Sequence, residues 1–217
     1  MAPRSPTSAF VVVEGTTGVG KSELCDRLAT EIDARVLHFP PEFLKFRRAV
    51  RLDEEIDPQA RLAYYVGAIL QLSREVESQL SMGASVICDR YAASPLALLE
   101  ADGDLSPERI DALSGPLLDA IVQPMLTVLL VAGHDAARRR VEKRGRVDPP
   151  LSAAHTRALT SPEHFSRWED ALRRRSRREG QVVEVDTSDL SPDQVLAVVL
   201  EALSGGEDAT GTEGGEP

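Results

Sequence analysis

The stretch FVVVEGTTGVGKS, from Phe10 to Ser22, decides the predicted fold of this chain. FVVVE is an apolar run with the length and composition of a buried β-strand. GTTGVGKS follows the pattern of one glycine, four residues and then glycine-lysine-serine, which is typical of a phosphate-binding loop. An amphipathic helix is predicted to follow from Lys21 to about Ile32. A strand, a glycine-rich loop and a helix in this order indicate a P-loop that binds a nucleotide.

The residues of this loop have separate predicted roles. Its glycines let successive backbone N–H groups turn toward phosphate oxygens, and the helix N-terminus adds a partial positive charge. We expect Lys21 to reach the terminal phosphates of ATP and Ser22 to bind Mg²⁺. A glycine-rich turn with no ligand is the alternative, which both flanking elements disfavour. The loop residues that we predict to bind ATP are Gly15, Thr16, Thr17, Gly18, Val19, Gly20, Lys21 and Ser22.

Strand-like and helix-like segments alternate along the rest of the chain, as is typical of an α/β protein with a parallel sheet. Further strands are predicted at residues 35–39, 85–89, 125–131 and 181–186. Further helices are predicted at residues 42–51, 58–81, 95–101, 107–122, 135–144, 161–179 and 191–203. We therefore predict a P-loop NTPase three-layer sandwich, with a five-stranded parallel sheet flanked by helices.

The length and composition predict a single domain at residues 9–204, since 217 residues suit one buried core. Residues 1–8 are expected to be a flexible arm. Residues 205–217 are expected to be a disordered acidic tail, because they have little to bury. The longest strongly apolar run, residues 125–132, is too short for a membrane span, and no secretory leader is apparent. Two cysteines, Cys25 and Cys88, indicate buried thiols and a cytoplasmic location.

The charge is acidic overall but uneven. A net charge of −10 disfavours a binder of nucleic-acid polymers. Six basic residues nevertheless fall between positions 138 and 146, against a single glutamate: Arg138, Arg139, Arg140, Lys143, Arg144 and Arg146. An acidic protein with one concentrated basic segment suits a small anionic ligand.

A P-loop alone does not distinguish a kinase from a GTPase, a transporter motor or a DNA-dependent ATPase. The chain has no Asn-Lys-x-Asp sequence for reading guanine, and the segment from Leu113 to Pro116 matches a transporter signature only weakly. A chain of 217 residues is also small for an oligomeric motor. A small kinase remains.

A second informative site is Asp89-Arg90-Tyr91, directly after a predicted strand. Ligands bind at the carboxyl edge of such sheets. Asp89 is therefore a candidate for the Mg²⁺ shell or for orienting the acceptor, and Arg90 is a candidate for neutralising a phosphate oxygen. A strand-terminal salt bridge is the alternative.

Three segments in the right order resemble the thymidylate kinase family and its deoxynucleoside kinase relatives. They are the loop from Glu14 to Ser22, the His38-Phe39-Pro40 segment with Glu42 nearby, and Asp89-Arg90-Tyr91. The resemblance covers about residues 9–204. It implies transfer of a phosphoryl group from ATP, with Mg²⁺, to a nucleotide or nucleoside. It also implies a homodimer formed through the helices around residues 58–80 and 107–122.

The resemblance further implies an acceptor site. Asp89 and Arg90 would lie beside the 5′ end of the acceptor, and Tyr65 would stack on its base unless it is simply a core residue. Glu42 is the candidate base toward a nucleoside, with an exposed glutamate at a helix start as the alternative. Arg47 and Arg48 are the nearest substitutes for an arginine that holds the acceptor phosphate in this family. The residues predicted to bind the acceptor are Phe39, Glu42, Arg47, Tyr65, Ile69, Arg90 and Tyr91.

The chain departs from the family pattern at three positions. Thymidylate kinases commonly carry an Asp in the phosphate loop, and some add an Arg; here these places are Thr17 and Gly18. Ile69 stands where an Arg often reads the thymine. These departures leave phosphoryl transfer intact but keep the identity of the acceptor base open.

The basic segment, continuing to about residue 150, resembles the lid that closes over ATP in this family. Because the loop has no Arg, the lid must stabilise the charge of the transition state, and Arg144 and Arg146 are the predicted catalytic residues. Arg138 is predicted to lie over the adenine. A solvated basic helix face is the alternative. The arginines on the long helix are interpreted as surface residues: Arg173, Arg174, Arg175, Arg177 and Arg178.

The predicted reaction is in-line transfer of the γ-phosphoryl group of ATP. A monophosphate acceptor needs no strong base, whereas a nucleoside acceptor requires Glu42 or Asp89 to take the hydroxyl proton. A dTMP-like monophosphate ranks first, a nucleoside second and another metabolite third. A nucleotide-dependent switch without an acceptor is the alternative from another class.

Overall fold

The computed structural model describes residues 8–41, 56–145 and 153–207. The helix predicted at residues 42–51 lies outside these ranges, as do most of the predicted arm, lid loop and tail. The elements, in chain order, are β1 (Phe10–Gly15), α1 (Lys21–Glu31), β2 (Ala34–His38), α2 (Pro58–Ser81), β3 (Ser85–Asp89), α3 (Ala93–Asp102), α4 (Pro107–Leu118), β4 (Leu126–Val131), α5 (His134–Arg144), α6 (Ala153–Thr160), α7 (Pro162–Ser176), β5 (Val182–Asp186) and α8 (Pro192–Glu207).

The five strands form one parallel sheet in the order β2-β3-β1-β4-β5. Strand β1 is central: Val13 is opposite Asp89 of β3 and Val128 of β4. Every residue of β1 and β4 is buried, because helices cover both faces of the sheet. The predicted α/β sandwich with a five-stranded parallel sheet is confirmed.

The core consists of three clusters of buried residues. On one face of the sheet, α2 packs through residues such as Leu62, Ile69 and Leu72. On the other face, α1 and α8 pack on alternate residues of the same strands. A third cluster joins α3 and α7 around Trp168. The sheet is thus covered on both sides, and the loops at the carboxyl ends of its strands share one edge.

Two elements differ from the predictions. Helix α6, a short helix after the proline pair at residues 149 and 150, was not predicted. Helix α4 ends at Leu118 rather than continuing to residue 122. The backbone of Val122 is bound outside the helix: its N–H donates to Ser73 Oγ at 2.9 Å, and its carbonyl accepts from the Tyr91 hydroxyl at 3.2 Å.

Arg175 corrects the interpretation of the long helix as an exposed arginine surface. Its side chain is only 6% exposed. Its Nε lies 3.1 Å from Glu100 and its Nη1 lies 2.9 Å from Asp111. Arg175 therefore joins α7 to α3 and α4 through buried charge, whereas Arg174 and Arg178 are largely exposed.

The two predicted buried thiols are confirmed, since Cys25 and Cys88 are both free and buried. In the part of the chain that the structure describes, no helix is long and apolar enough to cross a membrane.

Asp102 connects four helices through a buried carboxylate. Its side chain is 2% exposed and lies 3.4 Å from Arg61 of α2, 2.9 Å from Arg157 of α6 and 2.9 Å from His164 of α7. Removing one partner of such a network leaves buried polar groups uncompensated, which is costly.

Asp102→Asn is therefore expected to lower the free energy of unfolding by about 3 kcal/mol. Asp193→Asn is the matched control, because Asp193 is 84% exposed and its ion pair with Arg27 is worth less than about 1 kcal/mol. Urea denaturation of both variants measures the difference. Equal, small losses would contradict a stabilising role for the Asp102 network.

Candidate active site

The phosphate loop connects β1 to α1 through left-handed backbone at glycines. Gly18 and Gly20 have φ values of +86° and +103°, which residues with a Cβ rarely adopt. Gly20 caps α1, so the helix N-terminus points into the loop. This geometry provides the backbone N–H groups and the partial positive charge that phosphate binding requires.

Helix α5 lies directly against this loop. A Cβ added at Gly18 would be 2.4 Å from the carbonyl oxygen of Ala137, which is far inside van der Waals contact. Glycine at position 18 is thus required by the approach of α5. The basic helix and the phosphate loop form one packed unit.

Lys21 is buried beneath the loop, and its Nζ donates to the carbonyl of Thr16 at 2.5 Å. Burial, followed by the charge of Arg90, lowers the pKa of Lys21 to about 7. Within the described residues, the buried hydroxyls of Thr16 and Thr17 have no hydrogen-bond partner. Unpartnered buried hydroxyls in a loop of this shape are consistent with a ligand that supplies their partners.

The two residues predicted to bind the metal lie together. The Ser22 hydroxyl donates to Asp89 Oδ2 at 2.8 Å, and His38 Nδ1 lies 3.8 Å from the same oxygen. Burial alone would raise the pKa of Asp89. The nearby His38, the charges of Lys21 and Arg90 and the hydrogen bond from Ser22 outweigh it and hold the pKa of Asp89 well below its usual range. Asp89 is therefore a carboxylate.

Arg90 turns toward the phosphate loop through unusual backbone. Its φ is +73°, and its N–H donates to the carbonyl of Val13 at 3.0 Å. Its Nη1 donates to the carbonyl of Gly15 and to the Ser94 hydroxyl, both at 2.9 Å. The guanidinium thus lies between the end of β1 and the start of α3, beside Lys21.

Two residues predicted to bind the acceptor belong to the core instead. Ile69 and Tyr91 are both 0% exposed. Tyr91 packs edge-on against Phe10, with ring centroids 5.4 Å apart, and its hydroxyl is bound to Val122. Neither side chain presents a surface to an acceptor. The Ile69 prediction fails because position 69 falls on the face of α2 that packs against the sheet.

Phe39 and Tyr65, by contrast, are brought together at the carboxyl edge of the sheet. They are partly buried, and their ring centroids lie 6.1 Å apart. Three other predicted residues, Glu42, Arg47 and Arg146, lie outside the described residues, as does Arg48. Their roles stay predictions.

A cavity of about 370 Å³ opens beside the phosphate loop, between α1, α5 and α8. Arg140 and Arg144 lie on its wall, whereas Arg138 does not. Arg138 pairs on its own helix with Asp135 and Glu142. Arg140, and not the predicted Arg138, therefore lies on the wall of this cavity. Apolar side chains from three elements complete the wall: Val19, Leu24, Leu130, Leu190, Pro192 and Val195.

Arg140 is held by the segment after β5. Its Nη1 donates to Thr187 Oγ1 at 2.9 Å, and its Nη2 donates to the carbonyl of Thr187. The Thr187 hydroxyl reaches the loop carbonyl of Val19 at 3.0 Å, and Ser188 N–H donates to Asp186 at 2.8 Å in an Asx turn. Nothing in the sequence distinguishes Arg140 from the other five basic residues between positions 138 and 146.

Two buried glutamates hold the start of α3, and the sequence did not indicate them. Glu14 accepts from the N–H groups of Tyr91 and Ser94, at 2.9 and 3.2 Å, and from the Ser94 hydroxyl. Burial, and then the charge of Glu14, raises the pKa of Glu179 well above its ordinary value. Burial also raises the pKa of Glu14, but hydrogen bonds from Ser94 and Tyr91 and the charge of Arg90 oppose that rise. We infer that Glu179 keeps its proton while Glu14 carries the charge.

The thymidylate kinase family model matches residues 13–193. The chain belongs to the thymidylate kinase family. It is 34% identical over 148 residues to a thymidylate kinase of Chromohalobacter salexigens, covering 63% of this chain and 69% of the relative. It is 33% identical over 150 residues to the thymidylate kinase of Deinococcus radiodurans, covering 64% and 72%.

Two solved structures share the fold. The thymidylate kinase of Candida albicans superposes with a TM-score of 0.72 at 19% identity, covering 93% of each chain. A deoxyadenosine kinase from M. mycoides, solved with bound dATP, superposes with a TM-score of 0.67 at 14% identity, covering 89% of this chain and 98% of that one. The predicted family is confirmed, and with it the assignment as an ATP-dependent phosphotransferase.

Gly18→Ala is expected to destabilise this family member by about 2–4 kcal/mol, because left-handed strain is combined with overlap against Ala137. Gly83→Ala is the matched control: its φ is +79°, but nothing lies within 4 Å of the added Cβ. The control should cost only about 1–2 kcal/mol. Thermal unfolding measures both, and equal losses would argue against tight packing of α5 on the loop.

The stability of Glu179→Gln should depend on pH in a defined direction. In the wild type the folded state keeps the Glu179 proton above the ordinary pKa of 4.5, so it binds more protons than the unfolded chain. The unfolding free energy of the wild type therefore falls as the pH rises above the ordinary glutamate pKa. Glu179→Gln lacks this loss, so it should become progressively more stable than the wild type.

Denaturant unfolding at several pH values tests this prediction, with Glu201→Gln as an exposed control on α8. The control should follow the wild type at every pH. A constant difference between Glu179→Gln and the wild type would mean that Glu179 is ionised in the folded protein.

Proposed function

We propose that this protein transfers the γ-phosphoryl group of ATP, with Mg²⁺, to dTMP or a dTMP-like nucleoside monophosphate. The observation that carries the proposal is the contact between Asp89 and the phosphate loop, where the Ser22 hydroxyl donates to Asp89 Oδ2 at 2.8 Å. A general base that removes a proton from a hydroxyl works best when its pKa lies near the working pH. The pKa of Asp89 is lowered instead, away from that range. A monophosphate, whose oxygen is already nucleophilic, requires no such base.

Ser22 and Asp89 suit Mg²⁺ because it prefers oxygen ligands and is usually bound by one or two protein groups together with phosphates. Bound there, the ion would neutralise charge on the β- and γ-phosphates. Ser22 is exposed on the ligand side of the loop, and Asp89 comes from the end of the neighbouring strand β3. The two groups thus approach the same point from the donor loop and from the acceptor motif.

The donor site is proposed to extend from the phosphate loop into the cavity beside it. Apolar side chains of α1, β4 and α8 would contact the base, and Arg140 would lie beside it. Lys21 is buried in the phosphate loop, where the charge of bound phosphates would favour its protonated form. Arg144, on the cavity wall, would compensate charge that develops on the transferred group. Arg146 is proposed for the same role.

The acceptor site is proposed to lie between Arg90 and the Phe39–Tyr65 pair. Arg90 would bind the transferred phosphate, and the exposed part of Tyr65 would stack on the acceptor base. Because Ile69 is buried, it would influence the base only through the packing of α2. The single domain with its lid, the homodimer and the cytoplasmic location stay predictions.

The test is product-resolved ATP consumption with dTMP, thymidine and a panel of other nucleosides and monophosphates. We expect dTMP or a related monophosphate to be converted to its diphosphate. Lys21→Met should lower kcat/KM at least about 100-fold, because it removes the positive charge that would contact the donor phosphates. Arg74→Met is the control, since Arg74 is 77% exposed on α2 and should retain full activity.

Turnover of nucleosides alone would replace the proposal by a nucleoside kinase that uses Glu42 or Asp89 as base. Release of phosphate without any phosphorylated product would indicate a nucleotide-dependent switch. An active Lys21→Met variant would contradict the assignment of the phosphate loop.

A further inference from the structure

The Arg90 side chain, directly after the end of β3, is contacted from three directions. The carbonyl of Gly15 and the Ser94 hydroxyl each accept from its Nη1. On a third side, its Cζ lies 5.6 Å from the ring centroid of Trp168 on α7. This distance is within the range of a cation–π interaction, for which tryptophan is the most favourable aromatic side chain.

Packing of the apolar core does not by itself explain a tryptophan at position 168. It is 1% exposed, and among the described residues its indole N–H has no hydrogen-bond acceptor. A buried N–H without a partner is unfavourable, so phenylalanine or leucine would fill an apolar site at lower cost. The buried cluster that contains Trp168 is rich in small side chains. The alanines of this cluster are Ala93, Ala97, Ala101, Ala137, Ala154, Ala158 and Ala171.

Electrostatic repulsion explains why Arg90 needs such support. Arg90 lies close enough to Lys21 for its charge to contribute to the lowered pKa of Lys21. Two cations at the phosphate site repel each other until an anionic ligand binds. On the α3 side, the Ser94 hydroxyl is held by Glu14, which supplies negative charge. On the α7 side, the negative face of the indole has the same effect.

We propose that Trp168 is a positioning residue for phosphoryl transfer: its ring holds the Arg90 guanidinium toward the transferred phosphate. This inference rests on the proposed function, in which Arg90 binds that phosphate. His155 of α6 packs edge-on against the indole, with ring centroids 5.3 Å apart, and fixes the plane of the ring. Helices α6 and α7 therefore act on the chemistry through Arg90 without contacting the substrates.

The kinetic test compares Trp168→Leu with Trp168→Phe. Loss of a desolvated cation–π contact corresponds to roughly a tenfold change in rate. We expect Trp168→Leu to lower kcat about tenfold while the KM for ATP changes less than about twofold, because the donor site is intact. Trp168→Phe keeps an aromatic face and should recover most of kcat.

Leu172→Ala is the control for stability. Leu172 lies one turn further along α7, is 0% exposed and belongs to the same cluster. This variant should lower the melting temperature at least as much as Trp168→Leu while keeping kcat near the wild-type value. If kcat follows the melting temperature across all three variants, or if phenylalanine does no better than leucine, Trp168 is only structural.

A second measurement is independent of turnover. Trp168 is the single tryptophan of the chain, so intrinsic fluorescence reports its surroundings alone. Arg90→Met should shift the emission of the unliganded protein, while Arg74→Met should not. An unchanged emission in Arg90→Met would overturn the contact. If the wild type phosphorylates no acceptor but Arg90→Met still shifts the emission, the proposed function fails and the Arg90–Trp168 contact stands.

Discussion

The surrounding structure depends on one constraint: two positions of the phosphate loop, Gly15 and Gly18, have no room for a Cβ atom. A Cβ at Gly15 would lie 2.5 Å from the carbonyl oxygen of Leu130 in β4, and one at Gly18 would lie 2.4 Å from that of Ala137 in α5. Both neighbours approach the loop backbone to distances that only glycine permits. The loop is thus packed between the adjacent strand β4 and the basic helix α5. Its backbone N–H groups are therefore fixed in place before a phosphate binds.

Charge at the carboxyl edge of the sheet is balanced over a few buried groups. Lys21 and Arg90 repel each other, and Asp89 and Glu14 provide the compensating carboxylates. Asp89 gains enough hydrogen bonds to remain ionised despite burial, whereas Glu179 lacks them and is better interpreted as protonated. Among the described residues, this distribution leaves two cations directed at the phosphate site and no strong base beside it, which agrees with an acceptor that already carries a phosphate.

The sequence-based predictions succeeded where a local pattern of residues is compatible with few structures. The pattern GTTGVGKS between an apolar run and an amphipathic helix predicted the loop, and the alternation of segments predicted the parallel sheet. The predictions were wrong where one residue type serves several purposes. Arginine at position 175 is buried rather than exposed, and Ile69 and Tyr91 are core residues rather than acceptor ligands. Helical periodicity identifies an apolar face but not which of its members reaches a cavity.

The sequence by itself determined the phosphate loop, the order of strands and helices and the thymidylate kinase resemblance, because each depends on residues that are close together along the chain. Only the tertiary structure decided which of the clustered arginines lines the cavity beside the phosphate loop, which glutamate holds the start of α3, and that Trp168 lies beneath Arg90. Trp168 and Arg90 are far apart in sequence, and nothing in their local patterns relates them. Packing of α7 against α3 brings them together, and only a folded core can set that distance.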